Sequence, residues 1–154
     1  MTEVKETNYN LLRKQVESLI EDESNVIAIL SNVSALLNDS LDQINWVGFY
    51  LMENGELILG PFQGHPACVH IAVGKGVCGT AVSENTSQLV EDVNAFPGHI
   101  ACDANSKSEI VVPIHKDNEV IGVLDIDAPI IGRFTAEDQV ELEAIVKVIE
   151  KQIG

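Results

Sequence analysis

The chain has 154 residues, 45% of them hydrophobic, which is about the length of a typical domain and enough apolar material for one continuous core. Its 9 basic and 24 acidic residues give a formal net charge of −15, which argues against nucleic acid and anionic membrane surfaces as partners. No apolar run of about eighteen residues and no signal-peptide pattern is present, so we expect a soluble, cytoplasmic protein.

Two amphipathic helices are predicted at the start of the chain. Apolar residues recur every three or four positions from Tyr9 to about Asp22, and again from Val26 to Leu37. Ser24 and Asn25 stand where the second helix needs an N-cap. The first forty residues are therefore expected to be helical.

The middle of the chain has the pattern of β-strands. The segment 44–52 is rich in aromatic and β-branched residues, and the Asn54-Gly55 turn signal after it predicts a hairpin with 56–62. Further strands are predicted over 69–73, 88–91, 109–115 and 120–127, with a short helix over 77–84.

A final helix is predicted from Thr135 onwards, because Thr135-Ala136-Glu137-Asp138 is close to a capping box and apolar residues follow at helical spacing. Strands grouped between terminal helices, and joined partly by hairpins, predict an α+β fold. We expect a mostly antiparallel sheet with the N- and C-terminal helices packed on one face.

The three cysteines, Cys68, Cys78 and Cys102, lie in loop-rich stretches and could meet in one pocket. Without an export signal a structural disulfide is not expected, so each thiol is buried, metal-bound or reactive, and the residues alone leave these choices open. A zinc site is disfavoured because the chain has no C-x₂-C knuckle; the candidate ligands would be Cys68, His70, Cys78, His99 and Cys102.

The glycines Gly74, Gly76 and Gly79 match the spacing of a dinucleotide fingerprint, but no βαβ unit surrounds them. We interpret them as the tight turn that leads into the short helix carrying Cys78.

Two carboxylates share one face of a predicted strand, because Asp125 and Asp127 alternate with apolar residues. Hairpin register decides whether Glu109 joins them. With a two-residue loop at 117–118, Glu109 would oppose an apolar residue and face away. With a three-residue loop at 116–118 it opposes Asp125, and we predict this longer loop.

Such a cluster raises the proton affinity of at least one carboxyl and attracts an ammonium group, which suits a zwitterionic amino acid. Trp46 and Tyr50 lie four residues apart on a strand and so share a face. They form either an aromatic wall beside the acids or ordinary core packing.

Four segments of the chain resemble those of one known family. They are 76–81 (GVCGTA), 98–104 (GHIACDA), 108–110 (SEI) and 122–127 (GVLDID). The family is the free methionine-(R)-sulfoxide reductases, which are single GAF domains. The resemblance implies one GAF domain over 1–154, with N-terminal helices in 1–40, the sheet and active-site loops in 44–127, and a C-terminal helix in 135–153.

The resemblance also implies a role for each candidate residue. Cys102 matches the nucleophile, Cys68 the main resolving cysteine and Cys78 an additional redox cysteine, although either could resolve Cys102 first. The substrate-site acids would be Glu109, Asp125 and Asp127, and the aromatic pocket residues Trp46 and Tyr50.

The implied reaction reduces free L-methionine-(R)-sulfoxide to L-methionine, a repair of oxidative damage. It proceeds through a cysteine sulfenic acid and an intramolecular disulfide. Thioredoxin, supplied by NADPH through thioredoxin reductase, would reduce that disulfide. A homodimer and no bound metal or cofactor are also implied. The competing class is a GAF module that only binds a small ligand, but three acids would repel a cyclic nucleotide.

Overall fold

The computed structural model describes residues 3–100 and 104–153. Within them the helices are α1 (Tyr9–Ile20), α2 (Val26–Ser40), α3 (Gly76–Glu84) and α4 (Ala136–Ile153), with a 3-10 turn at Val93–Ala95. The strands are β1 (Trp46–Glu53), β2 (Glu56–Gly64), β3 (His70–Ala72), β4 (Gln88–Val90), β5 (Ser108–Lys116) and β6 (Glu119–Ala128).

The helix starts follow the predicted capping residues. The Asn25 side chain accepts a hydrogen bond from the Ala28 amide at 3.0 Å and so caps α2. At α4, Asp138 and Thr135 cap reciprocally: the Asp138 carboxylate accepts from the Thr135 amide at 2.8 Å, and the Thr135 hydroxyl accepts from the Asp138 amide at 3.2 Å. Both predicted N-termini are confirmed.

The six strands form one antiparallel sheet in the order β3-β2-β1-β6-β5-β4. The β1–β2 hairpin turns at Asn54 and Gly55, whose φ angles of 52° and 84° fit the predicted tight turn. All the predicted strands are present, and the mostly antiparallel sheet is confirmed.

The two faces of the sheet are covered differently. Helices α2 and α4 pack on one face, as predicted, and α1 packs against these two helices. The core between them includes Phe49, Ile110 and Leu124. Helix α3 packs on the opposite face against β3–β6, beside Trp46 and Tyr50. We call these the helical face and the pocket face.

The loop of the β5–β6 hairpin differs from the prediction. Lys116 pairs with Glu119, so the loop is only Asp117 and Asn118, both with positive φ. The three-residue loop was therefore wrong: two residues able to adopt positive φ already close the turn.

An irregularity in β6 nevertheless brings Glu109 to the same sheet face as Asp125 and Asp127. His115 pairs with Val120 but Ile114 pairs with Gly122, so β6 carries one extra residue, Ile121. This shift places Glu109 opposite Asp127, on the pocket face. The expected convergence of the acids is confirmed, although the partner of Glu109 is Asp127, two residues along β6 from the predicted Asp125.

Among the helices in the described part of the chain, none is both long and apolar enough to span a bilayer.

Candidate functional site

A pocket lies between the pocket face of the sheet, the start of α3 and the segments before β3 and β5. Its wall combines aromatic, acidic and thiol side chains. The lining residues are Trp46, Tyr50, Ala67, Ile71, Lys75, Gly76, Val77, Cys78, His99, Ile100, Ser106, Glu109, Asp125 and Asp127.

Strands β5 and β6 bring the three predicted acids together at the floor of this pocket. Glu109 pairs directly with Asp127, and Asp125 lies two residues away on the same face. Glu109 is only 7% exposed and Asp125 only 5%. Among the described residues, no Lys or Arg forms an ion pair with either of them.

Helix α3 adds a thiol to the acids. One atom each of Cys78, Glu109 and Asp125 lies within 4.8 Å of the others. Gly79 allows this approach, since a Cβ there would meet the Ala72 carbonyl oxygen at 2.4 Å. Gly76 starts the helix with φ of 63°, so the glycines serve the turn and packing as interpreted from the sequence.

The acids do not titrate as free carboxyls. Burial, and then the charges of Asp125 and Asp127, hold the pKa of Glu109 well above its usual range. Burial also raises the pKa of Asp125, although hydrogen bonds from Glu109 and Cys78 oppose that rise. Of these two buried carboxyls, Glu109 is the one whose protonated form the site favours more.

Burial shifts the pKa values of three further pocket groups, Cys78, Tyr50 and His99, towards their neutral forms. Burial and the charge of Asp125 raise the pKa of the Cys78 thiol. Burial, and then the Asp125 charge, likewise raises the pKa of Tyr50. Partial burial lowers the pKa of His99, against the opposing effect of Asp125. Cys78, Tyr50 and His99 thus favour their neutral forms beside the buried carboxyls of Glu109 and Asp125.

Trp46 and Tyr50 are buried and also line the pocket, so they serve both as core packing and as an aromatic wall beside the acids. The Trp46 ring stacks against Tyr50 with centroids 6.0 Å apart and against Phe62 at 5.2 Å. Trp46 Nε1 donates to the His65 carbonyl oxygen at 3.1 Å, and the Tyr50 hydroxyl donates to the Cys68 carbonyl oxygen at 2.9 Å.

The three cysteines have different places. Cys68 is disulfide-bonded, and Cys78 is a buried free thiol. The sequence led us to expect no permanent structural disulfide, whereas the family resemblance implied an intramolecular redox disulfide. Cys102, the predicted nucleophile, lies outside the described residues.

Cations fit this pocket better than anions. The carboxylates of Asp125 and Asp127 would neutralise an ammonium group, and the spacing of Cys78, Glu109 and Asp125 would also suit a divalent metal ion. The zinc alternative with His70 is not formed, because His70 is largely exposed and pairs with Glu56 at 3.1 Å.

Sequence reasoning missed the lining residues Lys75, Ile100 and Ser106, and it missed Phe62, which stacks on the lining residue Trp46. Gly60-Pro61 was the available signal for Phe62, because a glycine inside a strand often marks a bulge that changes which face a neighbour occupies. The others lie in or beside loops, where strand register gives no guide.

Comparison with known proteins gives concordant matches. The GAF domain model matches residues 25–153. The free methionine-R-sulfoxide reductase of Escherichia coli is 54% identical over 146 residues, which are 95% of this chain and 88% of that protein.

Solved structures match over nearly the whole chain. The reduced form of fRMsr of Staphylococcus aureus has a TM-score of 0.98 and 73% identity, covering 100% of both chains. The free methionine-R-sulfoxide reductase of Neisseria meningitidis in complex with its substrate has a TM-score of 0.93 and 39% identity, covering 99% of this chain and 95% of the other.

Proposed function

The chain belongs to the GAF domain family and, within it, to the free methionine-R-sulfoxide reductases, and we propose that it reduces free L-methionine-(R)-sulfoxide to L-methionine. The observation that carries the proposal is the acid cluster: three carboxyls on one sheet face, two of them buried without a Lys or Arg partner among the described residues. A free amino acid brings the ammonium group that this cluster lacks.

Recognition of the substrate follows from the two kinds of wall. Asp125 and Asp127 hold the ammonium group, while Trp46 and Tyr50 offer apolar ring surface to the thioether chain. A methionine sulfoxide inside a polypeptide has no free ammonium at this position. The pocket therefore selects the free amino acid over a peptide.

Chemistry begins with the proposed nucleophile, Cys102. Its sulfur attacks the sulfoxide sulfur while Glu109 donates a proton to the sulfoxide oxygen, which can then leave sulfur as a hydroxyl group. That hydroxyl passes to the cysteine sulfur, so the products are methionine and a Cys102 sulfenic acid. The thiol proton of Cys102 returns to Glu109. Two electrons pass from the cysteine sulfur to the substrate sulfur, so the cysteine is oxidised and the sulfoxide is reduced to methionine.

The sulfenic acid is then resolved by a second thiol. Attack by Cys68 forms a Cys68–Cys102 disulfide and releases the hydroxyl group as water. The disulfide-bonded state of Cys68 and the free state of Cys78 support Cys68 as the first resolving cysteine. Thioredoxin reduces this disulfide to two thiols and is itself reduced by NADPH through thioredoxin reductase.

Cys78 takes a later part in this scheme. Its raised pKa keeps it a thiol beside Asp125, which makes it a poor first attacker but a donor of a hydrogen bond to the acid cluster. We assign it the role of an additional redox cysteine.

The assembly and location that accompany this proposal come from the family resemblance. They are a single GAF domain over 1–154, a homodimer, no bound metal or cofactor, and the cytoplasm, where thioredoxin is available.

The direct test incubates the protein with thioredoxin, thioredoxin reductase and NADPH. NADPH oxidation is expected with free methionine-R-sulfoxide. It is not expected with the N-acetyl derivative, which lacks the ammonium group, or with the S epimer. A parallel reaction with dithiothreitol, analysed for methionine, separates a wrong reductant from a wrong substrate. Absence of methionine in both reactions rules out the proposed activity.

A further inference from the structure

The polar ends of Trp46 and Tyr50 both bind the segment of chain that carries Cys68. The indole N–H of Trp46 donates to the His65 carbonyl oxygen at 3.1 Å, and the Tyr50 hydroxyl donates to the Cys68 carbonyl oxygen at 2.9 Å. The two hydrogen bonds therefore hold the two ends of the segment 65–68, which has no regular secondary structure.

Both donors are themselves held firmly. Trp46 and Tyr50 are each 2% exposed, and their rings stack on one another. Phe62 also stacks on Trp46, with ring planes only 14° apart. Both residues also lie on β1, a central strand bonded to β2 and β6. The rings thus provide a rigid anchor for the segment.

The backbone geometry brings this segment close to the anchor. Trp46 pairs with Gly64, where φ is 142° and a Cβ would meet Trp46 Cδ1 at 2.5 Å. The chain therefore passes directly over the indole ring before it reaches His65. Pro66 then restricts φ within the segment and limits its other conformations.

We propose that Tyr50 and Trp46 are positioning residues for Cys68: by fixing the carbonyl groups at 65 and 68 they hold the Cys68 sulfur where it can resolve a cysteine sulfenic acid. This inference rests on the proposed function, in which Cys68 is the resolving cysteine. It gives the two aromatic residues a second task besides contacting the substrate. The same rings that receive methionine sulfoxide also set the geometry of the following step.

The step that they assist is the condensation of two sulfur groups. The Cys68 sulfur attacks the sulfenic sulfur, an S–S bond forms and the S–O bond breaks. The Cys68 proton leaves with the hydroxyl group as water, and no further oxidant is needed. A thiol on a flexible segment would attack the sulfenic sulfur more slowly, because it would seldom be aligned with the S–O bond.

The decisive variant is Tyr50→Phe, which keeps the ring and removes only the hydroxyl group. Reduced protein is mixed with one equivalent of methionine-R-sulfoxide, and samples are quenched to follow methionine by chromatography and the disulfide by mass spectrometry. The loss of one hydrogen bond is expected to slow disulfide formation by about three- to tenfold, and by a larger factor than it slows methionine formation. Dimedone should then trap more sulfenic acid than in the parent protein.

The matched control is Tyr9→Phe, which also removes a buried tyrosine hydroxyl hydrogen bond, the 2.6 Å bond from Tyr9 to Asp138. Tyr9 packs on the helical face. This variant should change neither rate, so a general loss of stability is separated from a positioning effect. Equal slowing by both variants overturns the proposal, as does an unchanged rate of disulfide formation in Tyr50→Phe.

A second arm keeps the test independent of the proposed substrate. Hydrogen peroxide replaces methionine sulfoxide as the source of the sulfenic acid, giving water as its product, and disulfide formation is followed as before. Slower resolution in Tyr50→Phe and Trp46→Phe supports positioning even if wild-type protein forms no methionine, a result that would instead contradict the proposed function. Unchanged resolution in both variants overturns the inference.

Discussion

The helical face and the pocket face of the sheet treat buried acids in opposite ways. On the helical side, Asp138 accepts a 2.6 Å hydrogen bond from the Tyr9 hydroxyl and pairs with Arg133 at 3.6 Å. On the pocket side, Glu109 and Asp125 are as deeply buried. They have no such cation among the described residues.

This difference separates stability from function. A buried carboxylate with a cation and donors is a structural element, because its desolvation is offset by its partners. Buried carboxyls that cluster with one another destabilise the folded protein, and a bound cationic ligand reduces that destabilisation. Neutralising an acid should therefore destabilise the protein on one face, and on the other face should remove activity while increasing stability.

The largest expected effect concerns the nucleophile. Cys102→Ser replaces a thiol by a much weaker nucleophile, so we expect reductase activity to fall to the background level. The coupled NADPH assay measures it, with Cys78→Ser as the thiol control that should retain the first turnover. Full activity in Cys102→Ser would assign the nucleophile to another residue.

Glu109→Gln is expected to have the next largest effect, because it removes the proton donor for the sulfoxide oxygen. A drop in kcat of about 10²- to 10⁴-fold is typical when a general acid is lost. The exposed Glu53→Gln is the control and should keep full activity. The parent kcat should also fall as pH rises through the raised pKa of Glu109, and the variant should lack that fall. The same pH profile in both proteins would exclude Glu109 as the acid.

Local sequence signals predicted the elements of both faces well. Helical periodicity and the capping residues Asn25 and Thr135 act within a few residues, so the sequence determines them almost alone. The Asn54-Gly55 turn is equally local, since few other residues adopt its positive φ angles.

Register across the sheet was less predictable, because one inserted residue changes the face of every residue beyond it. In β6, Ile121 is the extra residue that turns Glu109 towards Asp127 despite the two-residue loop. A second irregularity, in the β1–β2 pair, puts Phe62 opposite Gly48. The nearby glycine Gly122, whose Cβ would meet the Tyr50 carbonyl oxygen at 2.5 Å, was a signal that periodicity alone does not use.

The contacts of the pocket were the least predictable part. Alternation placed Trp46 and Tyr50 on one face but could not show that their polar ends bind the carbonyl groups of His65 and Cys68. Those bonds join residues about nineteen and eighteen positions apart through an irregular segment. Such contacts depend on tertiary packing, which no local pattern encodes.

On the helical face, Asp138→Asn should destabilise the protein by about 2 to 3 kcal/mol, because it leaves Arg133 buried without its counter-ion and weakens a charge-assisted hydrogen bond. Urea unfolding under reducing conditions measures the change in the free energy of unfolding. The first-turnover rate should stay as in the parent protein, since Asp138 lies across the sheet from the pocket. A loss of activity without a loss of stability would contradict the separation of the two faces.

The smallest effect is the most diagnostic of the comparison: Glu109→Gln should stabilise the protein at pH 8 by about 0.5 to 2 kcal/mol. An unfolded Glu titrates near pH 4.3, whereas burial and its neighbours raise the pKa of Glu109 in the folded state. Above pH 4.3 the unfolded chain loses this proton while the folded chain keeps it, so parent stability falls as pH rises towards the raised pKa. Glutamine does not titrate. The gain in unfolding free energy should therefore be small near pH 4.5 and grow towards pH 8, and a pH-independent difference would show that Glu109 is not held protonated by the fold.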